Sequence, residues 1–64
     1  MSKSEAQTVL DRAVGYGCNG VIKQLTDGSW RVYVSKAGRW IFVVSDDDFD
    51  DALENPELWV KGRV

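Results

Sequence analysis

Seven carboxylates fall between residues 46 and 57: Asp46, Asp47, Asp48, Asp50, Asp51, Glu54 and Glu57, with no Lys or Arg among them. Acids at that density can hold a hard cation, complement a helix dipole or dock on a basic surface. For a cation, Asp46, Asp48 and Asp50 occupy positions 1, 3 and 5 of an EF-hand-like loop. Glu57 falls at position 12 and Leu53 at the apolar eighth. That loop needs glycine at its sharp turn, where this chain has Asp51. It also needs an entering helix, whereas the preceding "RWIFVV" reads as a strand. No metal is expected. For a helix dipole, Asp46, Asp47 and Asp48 stand at the start of a short helical pattern, where negative charge is favoured. For docking, the expected residues are Asp47, Asp48, Asp50, Asp51, Glu54 and Glu57.

A second set combines cations with aromatics. Lys23, Arg31, Tyr33 and Arg39 would share one face of a sheet if the strands alternate as they read below. Aromatic rings stack on bases and arginines hold phosphates, so this set is the alternative, a nucleic-acid-binding face.

Catalytic chemistry has little to work with. The chain has no histidine, and Cys18 is its single cysteine. The usual base for a nucleophilic thiol is therefore missing, as is the thiol set of a structural zinc site. "GYGCNG" is glycine-rich, but it follows a helix rather than a strand, so it reads as a corner and not a phosphate cradle. The expectation is a non-enzymatic protein without a cofactor.

These residues need elements to hold them. Ala6, Val9, Leu10, Ala13 and Val14 recur at three- and four-residue spacing and predict a helix. Ser4 with Gln7 fits a capping box at its start, and Ser2 with Glu5 fits one two residues earlier. Gly15 and Gly17 end it. Three strands follow: "VIKQL", "WRVYV" and "RWIFVV". Asp27-Gly28 marks the first hairpin.

The second hairpin decides which residues of the third strand face inward. A two-residue Ala37-Gly38 turn requires positive φ at an alanine. A three-residue loop, Lys36-Ala37-Gly38, requires it only at Gly38. The second option predicts Trp40, Phe42 and Val44 on the core face with Trp30, Val32 and Val34. Arg31, Tyr33, Arg39, Ile41 and Val43 then lie opposite. A last helix is predicted from Asp46 to Glu54, with Ser45 and Asp48 as its capping box and Phe49, Ala52 and Leu53 as its apolar stripe. Pro56 starts a new turn capped by Asn55.

The predicted architecture is α+β in the order α-β-β-β-α: one small domain, residues 1–64, with a three-stranded antiparallel meander and helices on one face. Its core is expected to hold Val9, Leu10, Ala13, Trp30, Val32, Val34, Trp40, Phe42, Phe49 and Leu53. A chain of 64 residues buries a modest fraction of its surface. Without a disulfide or metal staple, it must rely on dense aromatic packing or on self-association. No apolar run approaches membrane-span length, and a lone thiol suits a reducing compartment, so a cytoplasmic location is expected.

The element order resembles that of double-stranded-RNA-binding domains. Those carry a lysine-rich start to the final helix, where this chain has "DDDFDD", which would repel phosphate. In size and acidic charge the chain is similar to the small phage-encoded inhibitors of host defence, such as anti-restriction and anti-CRISPR proteins. That similarity implies docking on a basic surface of a nucleic-acid-handling complex. The expected partner is thus a protein rather than nucleic acid or membrane. A homodimer is also expected to be accessible, through the exposed edge of "WIFVV".

Overall fold

The computed structural model describes residues 1–62. The elements run α1 (Lys3–Gly15), β1 (Asn19–Gln24), β2 (Trp30–Lys36), β3 (Arg39–Val43) and α2 (Asp46–Glu54). A single 3₁₀ turn (Pro56–Leu58) and a two-residue strand, β4 (Val60–Lys61), complete the order. The sheet is therefore four-stranded, antiparallel throughout and ordered β1-β2-β3-β4. The expected meander is extended by β4, which pairs with Arg39 and Trp40 of β3. That pairing covers part of the "WIFVV" edge on which self-association was expected to rest.

Helix α1 begins two residues earlier than the Ser4–Gln7 box implies. Ser2 caps it, its Oγ accepting the Glu5 N–H at 3.1 Å, so the alternative start is the one used. Ser4 lies inside the first turn, and the Gln7 side chain donates to Asp11 at 3.0 Å. The helix ends where Gly17 takes φ 82° and the Cys18 N–H reaches back to the Ala13 carbonyl at 2.9 Å.

The main departure lies at the second hairpin. Lys36 pairs with Arg39, so the turn holds only Ala37 and Gly38, and both have positive φ, 53° and 78°. The local cost at Ala37 is accepted. With this register Val32 lies opposite Val43, and Val34 opposite Ile41. Ile41 and Val43 thus join the core face, and Trp40 and Phe42 move to the other. This reverses the expected sides of the third strand, since a one-residue shift flips every side chain.

The core lies between the sheet and the two helices. Val9 and Ala13 of α1, Val32, Val34 and Val43 of the sheet, and Phe49 of α2 are shut off from solvent. Leu10, Ile22, Trp30, Ile41 and Trp59 pack against them half-buried. Of the expected core, Trp40 and Phe42 belong to the opposite face and Leu53 is exposed. Close packing also shows at Gly20, where an added Cβ would lie 2.5 Å from Leu10 Cδ1. Trp59 returns the chain to the body of the molecule by donating its indole N–H to the Ala52 carbonyl at 2.9 Å.

Candidate functional site

Both candidate surfaces of the sequence depend on which way side chains point, and the outer face of the sheet changes most. Alternation places Arg31 and Tyr33 of β2 outward, with Trp40 and Phe42 of β3 beside them. Tyr33 lies opposite Phe42 in the register. The Tyr33 and Trp40 rings stack with centroids 6.1 Å apart, and Phe42 lies 6.3 Å and 6.4 Å from them. The Arg31 guanidinium sits 4.8 Å above the Phe42 ring, a cation–π arrangement. Its Nε is shut off from solvent without a hydrogen-bond partner among the described residues. No helix covers this face among the described residues. Among the described residues eight large apolar side chains are exposed, and five of them, Val21, Phe42, Val44, Leu58 and Val60, lie on or beside it. Single exposed apolar residues need no explanation, but a contiguous patch marks a contact surface.

Two hollows flank the aromatic cluster. One, of about 430 Å³, is lined by Val21, Lys23, Tyr33 and Ser35. The other, of about 410 Å³, runs between β3 and α2, lined by Trp40, Phe42, Val44, Leu58 and Val60, with Asp48 and Asp51 on its far wall. The nucleic-acid set is thus only partly assembled. Lys23, Arg31 and Tyr33 share the outer face, whereas Arg39 is turned to the opposite one. There it lines a third hollow, of about 470 Å³, with Cys18, Leu53 and Trp59. Among the described residues no carboxylate lines that hollow, and Cys18 is buried in the core cluster as a small apolar side chain.

The acids on α2 divide by duty. Asp48 reaches back to accept the Val44 and Ser45 N–H groups at 3.0 and 3.2 Å, which fixes the helix start. Asp50 pairs with Arg12 of α1, so one of the carboxylates on this element is offset by a cation from elsewhere in the chain. The Arg12 guanidinium also lies 5.2 Å over the Phe49 ring. Its hydrogen bond to Asp50, reinforced by the charges of Asp50 and Asp46, raises its pKa further above an already high ordinary value. Asp47, Asp51 and Glu54 follow at four- and three-residue spacing and form one exposed file. None of the three makes a side-chain hydrogen bond or ion pair among the described residues. Glu57 is exposed on the 3₁₀ turn.

The EF-hand-like spacing does not survive this geometry as a loop. Asp46, Asp48 and Asp50 lie within α2, and alternate residues of a helix point in opposed directions. No group of three His, Cys, Asp or Glu side chains converges among the described residues. No helix there is long and apolar enough to cross a membrane.

The aromatic patch is the candidate surface that sequence reasoning did not single out, because it placed Trp40 and Phe42 on the core face. Its signal was present, since "RWIFVV" is apolar on both faces, which fits a strand covered on both sides or an exposed apolar strip. No family model, curated protein or solved structure matches the chain.

Proposed function

We propose that this chain is a non-enzymatic protein-binding module whose docking surface is the outer sheet face together with the adjoining side of α2. One observation carries the reading: an uncovered aromatic groove whose far wall is acidic. Trp40 and Phe42 line it from the sheet, and Asp48 and Asp51 line it from α2. The two parts do different work. Buried aromatics supply most of the affinity at protein interfaces, and charge sets encounter rate and partner choice. The partner is a protein with an apolar patch bordered by Lys or Arg. A basic surface that otherwise holds nucleic acid meets that description, so the inhibitory role implied by the resemblance in size and charge is one form of this function.

The stacked Tyr33 and Trp40 with Arg31 above Phe42 favour a second reading, a platform for single-stranded nucleic acid. Against it, the acidic wall adjoins the same aromatics, and Arg39 lies on the other side of the sheet.

Affinity capture from a cell lysate, followed by kinetics with the purified captured protein, tests the proposal. Asp47→Asn, Asp51→Asn and Glu54→Gln together should leave the melting temperature nearly unchanged, since surface substitutions usually alter stability by less than ~0.5 kcal/mol. The same triple variant should slow association, most strongly at low salt. Phe42→Ala should raise the dissociation rate. Unchanged association and dissociation in both variants would end the reading, as would recovery of nucleic acid in place of protein.

A further inference from the structure

We infer that the outer face of the sheet binds a second copy of this chain in an isologous, face-to-face dimer. This rests on the reading of that face as a protein-docking surface and names its occupant. The surface asks for a partner with an apolar patch bordered by cations. Its own other half answers that description. Arg31 lies over the aromatic cluster with its Nε buried and unpartnered, while Asp48 and Asp51 wall the groove on the α2 side. Positive and negative groups therefore sit on opposite sides of one apolar strip.

A two-fold axis running along the strands satisfies both halves at once. Rotation about it carries the β1–β2 side of one copy over the β3–α2 side of the other. The aromatic cluster of each copy then seats in the groove of its mate, and Arg31 of each meets Asp48 and Asp51 of the other. Every contact is made twice, as an isologous interface requires. Packed sheets lie about 10 Å apart, a spacing that interdigitated side chains fill. The result is a four-layer assembly, with helices outside and the two sheets packed between them. A chain this short, without a disulfide, also gains buried area that its own core cannot supply.

Sedimentation equilibrium from micromolar to millimolar protein, at low and high salt, reads the proposal directly. The wild type should show the mass of two chains, and the dimer should weaken as salt rises. Phe42→Lys should be monomeric with an unchanged circular-dichroism spectrum, because Phe42 is 46% exposed and outside the core. Arg31→Asp should weaken the dimer by roughly tenfold or more, and adding Asp51→Arg to it should restore association. Only contact between copies predicts that rescue. A wild type that stays monomeric at millimolar concentration overturns the dimer. If its Phe42→Ala variant still loses a captured protein, the docking reading stands without it. A dimer that persists in Phe42→Lys and Arg31→Asp also overturns the proposal, since the copies would then meet elsewhere, for example along the open edge of β1.

Discussion

The two faces of the sheet are built from the same strands and similar residue types, yet they have opposite fates. Val32, Val34 and Val43 point inward and lie beneath Val9, Ala13 and Phe49 with no solvent contact. One residue away along each strand, Tyr33 and Phe42 point outward, where no helix covers them among the described residues. The inner face carries branched residues beneath the Phe49 ring, with Trp30 half-buried at its end. The outer face carries the clustered rings of Tyr33, Trp40 and Phe42. Apolar content alone therefore does not mark the core of this protein. Parity does, and the uncovered parity is the one with arginine on its aromatics and carboxylates on its border.

Matched phenylalanine truncations are the strongest way to break that contrast. Phe49→Ala should cost about 3–5 kcal/mol, the range for emptying an aromatic site in a closed core. Phe42→Ala should cost less than about 1 kcal/mol, because its ring is half in water and its removal leaves no closed cavity. Urea unfolding followed by circular dichroism measures both. Equal costs would mean that the two faces are not distinct.

The turn that sets the parity gives a smaller effect of opposite sign. Ala37 has φ 53°, which costs a non-glycine residue about 1–2 kcal/mol. Ala37→Gly removes that cost and adds about 0.4–1 kcal/mol of unfolded-state entropy. The variant should therefore be more stable, by up to about 1.6 kcal/mol. A three-residue loop would keep Ala37 at negative φ, and the same substitution would then destabilise. The sign of the change in urea midpoint decides the register without a structure.

The first hairpin gives the smallest effect, one confined to acid. Its loop aligns β1 so that Val21 and Lys23 face outward, and Asp27 holds that loop. The Asp27 carboxylate accepts the Ser29 hydroxyl at 2.6 Å and the Ser29 N–H at 2.9 Å. These bonds hold its pKa below the ordinary value of 3.8. A folded pKa below the unfolded one means that the contribution is present above about pH 4 and is lost as pH falls through the folded value. Asp27→Ala should thus lower stability slightly at neutral pH and flatten the acid limb of the stability–pH curve below about pH 4. An acid limb identical to the wild type would remove Asp27 from the account of this hairpin.

Much of the fold was legible because its signals are local. The α2 boundaries follow from Ser45 and Asp48 at one end and from Asn55-Pro56 at the other. The inward parity of β2 follows from the clean alternation of "WRVYV". The short β4 was not legible, since two residues carry no period and their pairing with Arg39 and Trp40 depends on the chain's return past Trp59. The acidic file was visible as composition. Its division into a cap at Asp48, a pair at Asp50 and a file at Asp47, Asp51 and Glu54 without side-chain partners among the described residues required the position of α1, because Arg12 lies 38 residues from Asp50.

The sequence by itself determined the helices, the first hairpin, the density of charge on α2 and the existence of a strand with two apolar faces. Only the tertiary structure decided which of those faces is buried. Local cost favoured the three-residue loop, because it spares Ala37 a positive φ worth about 1–2 kcal/mol. Packing outweighed it. The two-residue turn brings Val43 opposite Val32 and Ile41 opposite Val34, beneath the helices; Val43 is fully buried there, a gain of roughly 1.5–3 kcal/mol, and Ile41 adds a part of that. A turn is local and its cost can be read from a few residues. The gain that offsets it comes from α1 and α2, which meet the sheet only once the whole chain is folded, and that choice left Tyr33, Trp40 and Phe42 facing water.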